Sequence, residues 1–336
     1  MRTNDYTLRS TDPLAQQIWD HVAASPLHSL WDFEGTSPKL VWTRTFHAML
    51  SDNLLSRAAE MGYYFLFALF PTLVCASSIL GLAARQASHI YDSLLHYLAL
   101  VLPGGAYDMV IDTFNQAAAA ASGGKITLGL AAALWSASVG FASIQDGMNT
   151  VYKVRESRPY WKARGAAILV TLLLSIMVTV NLAVLLGGDL MARFVYLRIW
   201  HHALALSAAL AIHVVQWTIA SGLLLMQFGT IYYFAPDLKA KRWHWMTPGA
   251  VIGVTGWVVS SLGFRVYLHF FHNFTITYGS LGAVIILLTW FYMTGLMLLL
   301  GGEINSEIQA AVAEKRLKTA GVIPAEVVAE PGVAAH

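Results

Sequence analysis

The sequence predicts an all-α polytopic membrane protein: a bundle of six transmembrane helices with a helical outer loop between spans one and two. Three observations carry this. Of the 336 residues, 57% are hydrophobic and only 12% charged, where a soluble domain carries roughly 25% charge. Six stretches lack Asp, Glu, Lys and Arg and are each long enough for the helix of about 20 residues that crosses a bilayer core. The basic residues are shared unequally between alternate connecting segments, as they are on the two sides of a membrane.

Composition also excludes some classes. A net charge of +2 points to no nucleic acid as main partner. The single cysteine, Cys75, rules out an internal disulfide and a cysteine-rich metal site. Its apolar setting, TLVCASSIL, makes it a packing residue. The N-terminal stretch carries Arg2, Asp5, Arg9, Asp12 and Asp20, so no cleavable signal peptide is expected there.

In chain order, residues 1–45 are expected to form a cytoplasmic N-terminal segment. The membrane domain, 46–308, holds spans at about 61–84, 126–145, 165–188, 203–235, 245–266 and 280–302. His201-His202 makes a poor helix start, which places span four near Ala203. FHNFTITYG reads as the loop before span six, with Asn273 and Gly279 as breakers. Between spans one and two, Val110, Ile111 and Phe114 alternate with Asp108, Asp112 and Asn115, the pattern of an amphipathic helix. Residues 309–336 end in TAGVIPAEVVAEPGVAAH, which has no period and is expected to be disordered. With the N-terminus inside, sixteen of the 21 Lys and Arg residues fall on the inner side and four outside. Both termini are therefore expected in the cytoplasm.

Polar residues in and near the spans are the candidate sites. Glu303 falls 23 steps after Ser280, about 35 Å along a helix. That sets Glu303 at the inner interface, where water begins, with Glu307 one turn further on the same face. Glu60 and Asp146 reach the same level, so Glu60, Asp146, Glu303 and Glu307, with Asn305, Arg57 and Asn149, outline an acidic inner mouth. It reads either as a wet polar collar or as a vestibule for a cation, a proton or a polar head group. His213 and Gln216 share a face of span four, and Asn181 lies in span three. These form a candidate intramembrane polar site, although such residues commonly join helices by hydrogen bonds. Arg265 sits at the outer mouth, where it can snorkel to water or hold an anion. Pro71 is expected to kink span one. Gly249 and Gly253 form a GxxxG contact in span five, within a subunit or between subunits. No metal site, cofactor motif or hydrolase signature is legible.

Four segments resemble one family, the YihY/BrkB proteins of bacterial inner membranes: SDNLLSRAAEMGYYFLFALFP (51–71), LWSASVGFASIQDGMNTVY (134–152), YYFAPDLKAKRWHWMTPGAVIG (232–253) and the long run 263–308 ending in GGEINSEI. The family often has Ser before the Leu-Phe-Pro of span one, where this chain has Ala68. The resemblance implies a six-helix inner-membrane protein. It also brings three labels for branches of the family: virulence or serum resistance, ribonuclease BN, and lipopolysaccharide-precursor export. The residues offer no metal-nuclease constellation for the second. From the kinked first span, the His213/Gln216 face and the acidic inner mouth, the sequence is read as a non-enzymatic carrier or flippase for an amphipathic or lipid-linked solute in envelope biogenesis. The alternative is a non-transporting scaffold for envelope assembly or serum resistance, and a distant third is a ribonuclease. Membrane lipids are the expected partners, no cofactor is implied, and an oligomer is left open.

Overall fold

A computed structural model describes residues 13–24, 27, 29–83, 107, 111–112, 123–198, 202–270 and 281–324. Eight helices form among them and no strand: α1 (Pro13–Ala24), α2 (Pro38–Ser51), α3 (Leu54–Ala83), α4 (Gly123–Val151), α5 (Tyr160–Arg198), α6 (His202–Phe234), α7 (Pro248–Phe270) and α8 (Leu281–Thr319). Helices α3 to α8 coincide in order with the six expected spans. Among the described residues, four stretches are long and apolar enough to cross a membrane: Tyr160–Arg198, Ala203–Phe234, Pro248–Phe270 and Leu281–Thr319. The expected outer-loop helix around Val110 and Phe114 lies outside the described residues, as does the tail from 325.

Helix α8 is the axis of the bundle. It packs against α3, α4 and α7 within the bundle and against α1 and α2 beyond it. The main core joins Leu54, Ala58 and Met61 of α3 to Phe141, Met148 and Val151 of α4, with Leu298 and Leu299 of α8 closing it. Helices α5 and α6 pack on each other. Both turn rows of large apolar side chains outward, among them Leu169, Leu172, Ile176 and Leu197 on α5 and Leu206, Leu210 and Val214 on α6. Such faces suit hydrocarbon rather than water.

Pro71 lies inside α3, which continues through it. A proline leaves the carbonyl four residues earlier without its helical donor. That carbonyl, of Phe67, instead accepts the Ser136 hydroxyl of α4 at 3.4 Å. A neighbouring helix thus supplies the missing hydrogen bond.

One end of the bundle, the basal end, gathers α1, α2, the second half of α8 and the two connections 152–159 and 235–247. Here the structure departs from the sequence reading. Helix α8 does not give way to a loose tail at 309 but continues to Thr319, and from Gly301 to Glu314 every residue is buried. The reason is a collar. Leu27, Leu30 and Val41 pack on Ile304, Ile308 and Val312. Ile18 and Val22 pack on Ala310 and Ala313. Ion pairs fasten it, with Arg44 on Glu314 at 2.8 Å and Arg316 on Glu34.

The connections are tied as closely. The Asn149 side chain donates to Glu156 at 2.9 Å and accepts the Asp237 backbone N–H at 2.7 Å. Asp237 also accepts the Ser157 hydroxyl at 2.6 Å. Arg158 donates to Glu156 at 2.6 Å and approaches Asp237 within 3.5 Å.

Candidate functional site

The acidic inner mouth divides into separate places. Glu303 and Asn305 are fully buried and Glu307 nearly so. The expectation that Glu303 and Glu307 sit where water begins is therefore corrected: the collar of α1, α2 and the segment between them covers this part of α8. Glu60 and Asp146 are exposed instead. Glu60 pairs with Arg57 at 3.8 Å, and Asp146 feels Glu60, Arg57 and Glu156. The charges nearest Glu303 are Lys153 and Glu307.

Two positions apart on a helix is 200°, so Asn305 and Glu303 face opposite ways. Asn305 points at the start of α7. Its amide oxygen accepts the Gly249 N–H at 2.9 Å and its amide nitrogen donates to the Thr247 hydroxyl at 3.0 Å. Thr247 in turn accepts the Ala250 N–H at 3.0 Å. Two of the N–H groups that every helix start leaves open are thereby satisfied. Asn305 is a tertiary cap for α7.

Gly249 and Gly253 make their contact within the chain. A side chain at Gly249 would overlap the Gly301 carbonyl oxygen. One at Gly253 would stand 3.0 Å from the Tyr232 hydroxyl and 3.1 Å from the Met297 carbonyl. Helices α7 and α8 thus touch backbone to backbone, as small-residue contacts permit.

Glu303 faces the other side, toward α4. Neither of its carboxylate oxygens has a hydrogen-bond partner. The nearby Ser306 hydroxyl serves the Glu303 backbone carbonyl at 3.0 Å. Lys153, held in a left-handed turn at φ 52°, pairs with Asp52. Its charge also acts on Glu303. The sequence reading did not single out Asp52 or Lys153. They enter from the α2–α3 and α4–α5 connections, and only the fold brings them to α8.

The second expected site forms between α5 and α6. The Gln216 amide donates to the Leu185 carbonyl at 2.6 Å, so its oxygen is left to accept. The His213 Nδ1 lies 3.1 Å from that oxygen and must carry a proton to bond it. The same nitrogen is 3.7 Å from Asp189, the charge that closes expected span three. His213 therefore stands level with the end of that span rather than deep in it. Asn181 is not joined to this group, and its amide oxygen has no partner. Beside Gln216 a groove of about 560 Å³ opens, lined by apolar side chains of α5 and α6 such as Val184, Met191, Ile212 and Ile219. Arg265 is exposed toward the far end of α7.

A third feature, a basic cavity under the 235–247 connection, was not anticipated. Lys241, Arg242 and His244 reach it with Tyr152 and Gln309. The KAKRWHW run was the available signal.

Comparison with known proteins agrees with this architecture. The Virulence factor BrkB family model matches residues 45–322. A putative ribonuclease-like protein, YfkH, of Bacillus subtilis is 32% identical over 251 residues, which is 75% of this chain and 88% of that protein. A UPF0761 membrane protein of Xanthomonas oryzae is 26% identical over 81% of this chain. This chain spans only 60% of that relative's length. A UPF0761 membrane protein of Tolumonas auensis is 24% identical over 80% of this chain and 83% of that one. No solved structure matches. With its apolar helices, the chain is a membrane protein and belongs to the Virulence factor BrkB family.

Proposed function

We propose that the protein is a carrier or flippase-like transporter of an amphipathic or lipid-linked solute in the bacterial inner membrane, with both termini cytoplasmic. The observation that carries this reading is the groove between α5 and α6. Its volume, about 560 Å³, lies in the range of small-molecule sites, roughly 300–1,000 Å³. It is lined mostly by apolar side chains, and Gln216, hydrogen-bonded to His213, which in turn approaches Asp189, supplies a polar group at its wall. An apolar groove with one polar group in its wall suits a molecule with an acyl chain and a head group. Glu303 supports the reading from the opposite end of the bundle. A buried ionisable group without a hydrogen-bond partner is a candidate for coupling to a proton or cation. The basal end carries the Lys and Arg excess that marks the cytoplasmic side.

The test is translocation in proteoliposomes of a fluorescent phosphatidylglycerol, read by a membrane-impermeant quencher. The intact protein should raise the quenchable fraction above that of protein-free vesicles. Gln216→Leu and Glu303→Gln should abolish the increase while the protein still folds. Translocation no faster than in empty vesicles, for this probe and for an undecaprenyl-linked one, would overturn the proposal.

A further inference from the structure

The basic cavity at the basal end is separate from the groove between α5 and α6. We infer that it binds the phosphate group of an anionic ligand, carried on a lipid head group or free in solution. The cavity is about 40 Å³. A water needs roughly 10–15 Å³ by the same measure, so the space takes the oxygens of one phosphate and no acyl chain. Three of its lining residues, Lys241, Arg242 and His244, are basic, and its lining includes no carboxylate. Tyr152 and Gln309 add further donors. Charge-assisted hydrogen bonds from such a set are the strong ones.

The site is built rather than incidental. The Lys241 ammonium donates to the Pro236 carbonyl at 2.7 Å. The connection is pinned at Asp237 by Ser157 and Asn149, and at Ala240, whose N–H donates to the Ala23 carbonyl at 3.1 Å. Burial, with Arg158 nearby, pushes the Lys241 ammonium below its usual range despite Asp237 and Glu156. A bound anion would relieve that cost. Glu303 influences Tyr152, which lines the cavity. Next in sequence to the lining residues Leu30, Arg242 and His244, Trp31, Trp243 and Trp245 are exposed by about half. The Trp31 indole donates to the Met246 carbonyl at 3.1 Å. Exposed tryptophans at the end of a membrane bundle sit at head-group depth. They bring the cavity to the level of lipid phosphates. The site serves a carrier or a scaffold equally and does not rest on transport.

Native mass spectrometry of the full chain from mild detergent tests it, with added phosphatidylglycerol, diacylglycerol or inorganic phosphate as probes. One phosphatidylglycerol should remain bound while diacylglycerol, which lacks the phosphate, does not. The Arg242→Gln/His244→Gln variant should lose about tenfold in affinity, as for one or two charge-assisted hydrogen bonds. Lys239→Gln removes a charge from the same connection but not from the cavity, and should bind as the parent does. Displacement of the lipid by inorganic phosphate assigns the site to the free anion as well, and retention assigns it to the head group. Equal binding of diacylglycerol, an equal loss in Lys239→Gln, or no bound phosphate of either kind overturns the inference. Thermal unfolding of each variant separates lost binding from lost fold.

Discussion

Replacing Gly249 by alanine tests the packing of α7 on α8, because two effects of opposite sign compete there. Alanine is favoured over glycine inside a helix by about 0.8–1.0 kcal/mol. With space around the position, the substitution would therefore stabilise. At Gly249 the added methyl would overlap the Gly301 carbonyl oxygen and approach the Asn305 amide oxygen at 2.6 Å. The first of these is backbone and cannot rotate away. Relief requires α7 and α8 to separate, which also stretches the hydrogen bond from the Gly249 N–H to Asn305. Overpacking of this kind costs about 1–3 kcal/mol. At roughly 2–4 °C per kcal/mol the midpoint should fall by ~2–12 °C. Thermal unfolding in detergent, followed by far-ultraviolet circular dichroism, measures it. Gly263, on the same helix, has nothing within 4 Å of an added methyl, so Gly263→Ala should hold or raise the midpoint. A Gly249→Ala protein as stable as the parent would refute the close contact.

Further expectations come from the basal end. Asn305→Ala should lower stability by about 2–3 kcal/mol, since it strands a buried N–H and removes a donor from Thr247; equilibrium unfolding in mixed micelles measures this. Lys153→Met removes the cation from Asp52, Glu303 and Glu307. Breaking a buried pair from one side costs about 3–5 kcal/mol, and the same unfolding assay should show Asp52→Asn/Lys153→Met to be milder. Acid should loosen the two basal connections. Burial alone would raise the carboxyls of Glu156 and Asp237, but hydrogen bonds from Arg158 and Asn149 to the first, and from Ser157 to the second, hold both below their ordinary 4.5 and 3.8. Their stabilisation is thus complete above those values and is lost as pH falls through the lower folded ones. Hydrogen exchange at 152–159 and 235–247 should accelerate below about pH 4 while α7 and α8 remain protected.

Much of the architecture is legible in the sequence because hydropathy reports what surrounds a helix. The breaks at Glu60, Lys125, Arg164 and Asp237 each fall near an element boundary. The collar was not legible for the same reason. Its contacts with α8 use Ile304, Ile308 and Val312, an apolar stripe interleaved with the polar residues from Glu303 onward that mark the end of the expected span. The cap on α7 was legible only in part. Thr247-Pro248 reads as a helix start, but the partner that completes it, Asn305, lies 58 residues away. The residue pair His213 and Gln216 is readable from i, i+3 spacing. Its level in the membrane is not, because Asp189 comes from another helix.

Asn305, Glu307, Glu314 and Asp52 are all acids or amides in or near the collar, and each has a structural account. Asn305 caps α7. Glu314 is paired with Arg44 and Lys318. Asp52 is paired with Lys153. Glu307 is influenced by Lys153 and Arg44. Glu303 alone is fully buried with both oxygens lacking a hydrogen bond. Buried ionisable groups are seldom kept for stability, since even a buried ion pair is often replaceable by apolar side chains of like volume without loss. The helix around it needs no help, since Leu299, Ile304 and Ile308 already anchor it on two cores. Packing therefore gives no reason for a carboxylate at 303. Glu303→Gln should fold as well as the parent, and its loss of translocation, if the carrier reading holds, would be chemical rather than structural.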